Sequence, residues 1–141
     1  MIHYFKVNCE RNNLKLIREF VNVVLRNFSL SDLEINQLVL AVDEVCSNLI
    51  IHSQNCNPNN IIEINIQENS EGILFEIIDK TSKSFDLTQY TDPNLHNIVK
   101  EKRKGGIGLM LVNKIMDKVE VATDNSRNTW RLLKKSTSEK K

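Results

Sequence analysis

Apolar residues recur along this chain with two different periods, and the switches between them mark out the elements. From His3 to Asn8 the positions Tyr4, Phe5 and Val7 alternate with polar ones, which predicts a short first strand. Leu14, Ile17, Phe20, Val21, Val24, Leu25 and Phe28 then fall at helical spacing and predict a first helix to about Asn27, with Asn12-Asn13 as its cap. Ser31-Asp32-Leu33-Glu34 is a capping box, Ser at the cap and Glu three residues on, so a second helix is expected from Ser31 to about Ser53. On that helix Ile35, Leu38, Val39, Val42, Val45, Cys46 and Leu49 share one broad arc, the mark of a face packed on a core.

The period then changes to two. After the turn formers Asn55 to Asn60, the runs Ile61 to Gln67 and Ile73 to Asp79 flank Asn69-Ser70-Glu71-Gly72 and read as an antiparallel hairpin that ends in an aspartate. From Lys80 to Lys104 the pattern dissolves into polar and charged residues around Pro93, a long loop with a short helix expected near Leu95 to Glu101. Gly105-Gly106-Ile107-Gly108 is expected to precede an apolar helix from Leu109 to Met116, and Val119 to Thr123 and Thr129 to Leu133 to form two further strands. The charged stretch from Lys134 onward reads as a frayed tail. This order predicts an α+β fold, a two-layer α/β sandwich with helices on one face of a mostly antiparallel mixed sheet. It does not predict a Rossmann unit, because the glycines follow a polar loop rather than a strand end.

Composition narrows the function classes. A chain of 141 residues, 40% hydrophobic and 26% charged, fits a single globular domain over residues 1–141. A formal net charge of +1 supplies no bulk attraction to nucleic acid or acidic lipid. Three cysteines without CxxC spacing argue against disulfides and a structural zinc site and suit a reducing cytosol, so a cytoplasmic location is expected. No apolar run approaches the length of a membrane span.

Against that background a few polar residues stand out. Glu44 and Asn48 lie off the buried arc and four residues apart, so they stack one turn above the other, and such a pair can act as a general base and a hard oxygen ligand for a cation. The same pair also suits a solvated helix face. A glycine cluster at a helix start offers unpaired N–H groups to an anion, with Lys100, Lys102, Arg103 and Lys104 just before it. It is equally compatible with a tight turn. Asp79 either closes its strand or accepts a hydrogen bond from an exocyclic amine such as that of adenine. In this order the three features describe a nucleotide site.

The order Glu44-x3-Asn48, Asp79, Gly105-Gly106-Ile107-Gly108-Leu109 and Thr129 resembles the GHKL ATPase superfamily, which includes gyrase, heat-shock chaperone, histidine kinase and mismatch-repair ATPases. More narrowly, Leu40 to His52 and Gly106 to Val119 are similar to the anti-sigma-factor serine/threonine kinases of bacterial partner-switching systems, and the resemblance covers nearly the whole chain. It implies a Bergerat-type ATP-binding fold that takes ATP and Mg2+. It implies Glu44 as general base, Asn48 as magnesium ligand, Asp79 as the adenine carboxylate and Thr129 as support for the Asp79 end of the pocket. Phe85, Arg103, Gly105, Gly106, Ile107, Gly108 and Leu109 join Asn48, Asp79 and Thr129 on the nucleotide side, and residues 87–104 correspond to a mobile ATP lid. The partners implied are a STAS-domain antagonist phosphorylated on serine, a sequestered sigma factor or other regulator, and a second copy in a homodimer, with no direct nucleic-acid or membrane contact.

One block departs from the family. Where Asp-x-Gly-x-Gly is usual, Asp79-Lys80-Thr81-Ser82-Lys83 has neither glycine, and Asn128 stands where a glycine is common before the threonine. Side chains at Thr81 and Lys83 would narrow the pocket. A binding module with a degenerate ATP pocket, nucleotide-regulated or nucleotide-free, and an ATPase that activates water through Glu44 are therefore the competing readings.

Overall fold

The computed structural model describes residues 2–51, 58–80, 103–124 and 127–136. In chain order these form β1 (Ile2–Asn8), α1 (Asn13–Leu25), α2 (Asp32–Ile51), β2 (Ile61–Glu68), β3 (Gly72–Lys80), α3 (Arg103–Ile115), β4 (Lys118–Asp124) and β5 (Arg127–Lys135). The strands make one sheet in the order β1-β2-β3-β5-β4, and all four pairings are antiparallel, so no parallel pair is mixed into it among the described strands. The helices form the second layer. Helix α2 lies between α1 and α3 and over β3, while α1 leans on β1 and α3 on β4. The α+β sandwich is as expected.

The alternation of the hairpin is what joins the layers. Ile62, Ile64 and Ile66 of β2 and Ile73, Phe75 and Ile77 of β3 are buried on the helix side, against Ile17, Val21 and Leu25 of α1 and Leu38, Val42 and Val45 of α2. Each of these side chains contributes about 1.5–3 kcal/mol on burial. The opposite face of the sheet carries charge pairs, among them Lys80 with Glu63 at 2.6 Å and Arg131 with Glu76 at 2.9 Å. No helix among the described residues is long and apolar enough to cross a membrane.

The capping box forms as written in the sequence. The Ser31 N–H donates to Glu34 Oε1 at 2.9 Å and the Glu34 N–H donates to Ser31 Oγ at 3.1 Å, which starts α2 at Asp32. The Asn12-Asn13 cap does not: Asn12 is already helical and makes no cap bond, and Asn13 donates instead to the Asn8 carbonyl at 2.9 Å, tying α1 to β1. In the hairpin turn, Asn69 Oδ1 accepts from the N–H groups of Glu71 (2.8 Å) and Gly72 (3.0 Å). Gly72 adopts a φ of +154°, and a Cβ there would press on the β5 backbone, 2.7 Å from Lys135 Cα. Only glycine lets β3 begin beside β5.

Two expectations fail at the level of the fold. Cys9 is disulfide-bonded, while Cys46 is free and fully buried. Linear spacing does not report which thiols the fold brings together. The last helix also begins at Arg103, so Gly105, Gly106 and Gly108 lie inside its first two turns instead of ahead of it. The short helix expected near 95–101 falls outside the described residues.

Candidate functional site

The packing of α2 decides where its polar residues can go. Ala41, Val42, Val45, Cys46 and Leu49 are buried, which leaves Glu44 and Asn48 half-buried at the margin, one turn apart. The neighbouring Asp43 pairs with Arg18 of α1 at 3.1 Å. Helix α3 closes the other side. A Cβ on Gly108 would overlap Glu44 Oε1 and stand 2.8 Å from Cδ and 3.3 Å from Cγ, so the backbone of α3 rests directly against the Glu44 carboxyl. A glycine inside a helix costs roughly 1 kcal/mol relative to alanine, and at 108 close approach is the return. One turn earlier, around Arg103 to Gly105, the N–H groups have no partner within the helix and face outward at the positive end of its dipole.

Asp79 reaches the same region from the sheet. Glu34 and Leu38 near the start of α2 line a recess together with Gly72 and Ile73 at the start of β3, so helix and strand run in the same direction. Ten residues of helix advance about 15 Å and six of strand about 20 Å, which carries Asn48 and Asp79 to the same end of the sandwich. Asp79 shares the helix-side face with Ile73, Phe75 and Ile77 and is only 3% exposed. Its Oδ1 is fully buried and has no hydrogen-bond partner among the described residues. Burial pushes the carboxyl up to about 6, against a hydrogen bond from Asn128 that pulls it down.

The register names the residue beside it. Asp79 pairs with Asn128 on β5, and Asn128 pairs with Thr123 on β4, whose hydroxyl donates to Asn128 Oδ1 at 2.7 Å. Thr129 pairs with Ile78 and therefore lies on the opposite face. The support expected from Thr129 is supplied by Asn128, because side chains alternate along a strand and one position changes the face. Leu109 is 3% exposed and packs in the hydrophobic core. Gly105 and Gly106 lie in the first turn of α3, and Ile107 follows them in the same helix. Phe85 and residues 87–102 of the lid fall outside the described residues, and so does the side chain of Arg103. The structure thus gathers Glu44, Asn48, Gly108 and Asp79 at one end, and adds Asn128 and Thr123, which motif order alone did not single out. The signal for Thr123 and Asn128 is their equal distance from the tight β4–β5 connection.

Two carboxyl groups thus stand at this end of the sandwich, Asp79 buried on the sheet with one unpartnered oxygen among the described residues and Glu44 on α2 against the backbone of α3 at Gly108. The sequence profile of the histidine kinase-like ATPase domain matches residues 7–134. The chain belongs to this family. Among relatives of this histidine kinase-like ATPase domain is the anti-sigma F factor of Clostridium beijerinckii, 28% identical over 102 residues that cover 72% of this chain and 71% of that one. The serine-protein kinase RsbW of Halalkalibacterium halodurans is 28% identical over 97 residues, covering 65% and 57%. Solved structures agree on the fold. A chain of the SiaB-SiaC complex from Pseudomonas aeruginosa superposes with a TM-score of 0.62 at 15% identity, covering 92% of this chain and 87% of that one. The RsbU and RsbW domains of a Mycobacterium tuberculosis protein give 0.65 at 12%, covering 96% of this chain and 32% of that longer one.

Proposed function

We propose that this histidine kinase-like ATPase domain is a cytoplasmic ATP- and magnesium-dependent protein serine kinase of the anti-sigma type, which phosphorylates a STAS-type antagonist and otherwise holds a regulatory partner. The observation that carries the reading is the buried Oδ1 of Asp79, unpartnered among the described residues, at the same end of the sandwich as Glu44, Asn48 and the start of α3. A buried acceptor without a donor is a cost of about 1–3 kcal/mol, and a ligand that brings an N–H removes it. The exocyclic amine of adenine is such a donor. Relatives that carry the names anti-sigma F factor and serine-protein kinase support the class of activity.

In this reading each residue has one task. Asp79 reads the adenine edge from the sheet. The start of α3, with Gly105 and Gly106, turns unpaired N–H groups toward the phosphates. Asn48 would offer a carboxamide oxygen to a magnesium ion. Magnesium at this position neutralises charge on the triphosphate. Glu44, pinned by Gly108, takes the proton from the substrate serine hydroxyl while the oxygen bonds to the γ-phosphorus and the bond to ADP breaks. Two copies are expected to pair, as the family resemblance implies.

The missing glycines after Asp79 favour a second reading, a module that binds its partner under nucleotide control without transferring phosphate. Labelled ATP with a serine-bearing STAS domain separates the two. Transfer that is lost in Glu44→Gln while ATP binding persists supports the kinase; ATP binding without transfer in the wild type supports the module.

A further inference from the structure

Thr123, Asn128, Asp79 and Ile62 form one cross-strand row over β4, β5, β3 and β2, all on the helix side of the sheet. Asn128 is itself 3% exposed. The Thr123 hydroxyl donates to its Oδ1, and the opposite amide orientation would turn that oxygen onto a carboxylate, so the N–H side of Asn128 faces Asp79. This bond falls on Asp79 Oδ2, since Oδ1 has no partner.

Resting on the nucleotide reading above, we propose that Asn128, locked by Thr123, is a specificity-determining positioning residue that keeps Asp79 a pure acceptor and so makes the site choose 6-amino over 6-oxo purines. An ionised Asp79 accepts from the amine of adenine and repels the carbonyl of guanine. A protonated Asp79 could donate to that carbonyl, and the choice would fade. The carboxyl is close to that point already, since burial lifts it to about 6 and Asn128 alone opposes the rise. Ile62 faces it from β2 and Asn128 from β5; α2 carries Asp43, Glu44 and Cys46 as its titratable groups near this end, and none of them shifts it.

The test uses the full chain. The Asp79 carboxyl is titrated by 13C NMR without nucleotide, and ATP and GTP affinities are read at about pH 7 from Trp130, the only tryptophan, which lies on the same face two residues from Asn128. Asn128→Leu should raise the midpoint by roughly one unit and lower the ATP-to-GTP affinity ratio about tenfold. Thr123→Val, a milder change that leaves the amide in place, should move both in the same direction by less. Unchanged midpoint and ratio in both folded variants would overturn the proposal while leaving ATP binding standing. Shifted midpoints with neither nucleotide bound by the wild type would overturn the specificity role together with the nucleotide reading.

Discussion

Replacing Asp79 by asparagine should stabilise the nucleotide-free protein at neutral pH while weakening ATP binding. In the unfolded chain this carboxyl ionises near 3.8, and in the folded protein near 6. Between those values the native state holds the extra proton, so stability falls as pH rises, and the fall is complete once the pH exceeds the folded value. About two units at 1.36 kcal/mol each give about 3 kcal/mol withheld from the folded state at neutral pH. The carboxamide that replaces the carboxylate carries no charge to desolvate and can still accept from Asn128. Urea unfolding of both proteins from about pH 4 to about pH 7.5 should show the wild type losing about 2.5 kcal/mol relative to the variant, most of it below about pH 6.5. Groups common to both proteins cancel in this difference. A difference that stays flat across the range would refute the claim that Asp79 is buried and ionised at neutral pH. The same variant should bind ATP about 1–3 kcal/mol more weakly, since the carboxamide presents a donor where an acceptor is wanted.

Glu44→Gln should abolish phosphoryl transfer in single-turnover assays and leave the ATP dissociation constant within a few-fold, whereas Asn48→Ala should remove the magnesium dependence of binding. Gly108→Ala should displace the Glu44 carboxyl, the softer of the two groups in contact, so that transfer falls tenfold or more while thermal stability stays within about 1 kcal/mol of the wild type. Ser31→Ala removes one half of the capping box and should lower stability by about 1 kcal/mol in urea without changing ATP affinity.

What could be read from the chain was mostly local. Ser31 and Glu34 are three residues apart and form the box that their types announce. The isoleucines of β2 alternate without a break, and their face of the sheet is the buried one. Glu44 and Asn48 follow from helical phase alone. What depended on another segment was not legible. Three glycines in four residues read as the approach to a helix, yet they lie inside α3, and at Gly108 the reason is a carboxylate from α2. Motif order pointed to Thr129, but the register of β5 against β3 turns Asn128 to the site and Thr129 away. The Asn12 cap does not form, and Asn13 donates to the Asn8 carbonyl instead.

The most direct test of the account is a calorimetric titration of the wild type and of Asp79→Asn with ATP, each with and without magnesium. The wild type should bind one ATP per chain saturably, more tightly with magnesium, and the variant markedly more weakly. No binding by the wild type at millimolar ATP with magnesium, or equal binding by both proteins, would contradict it.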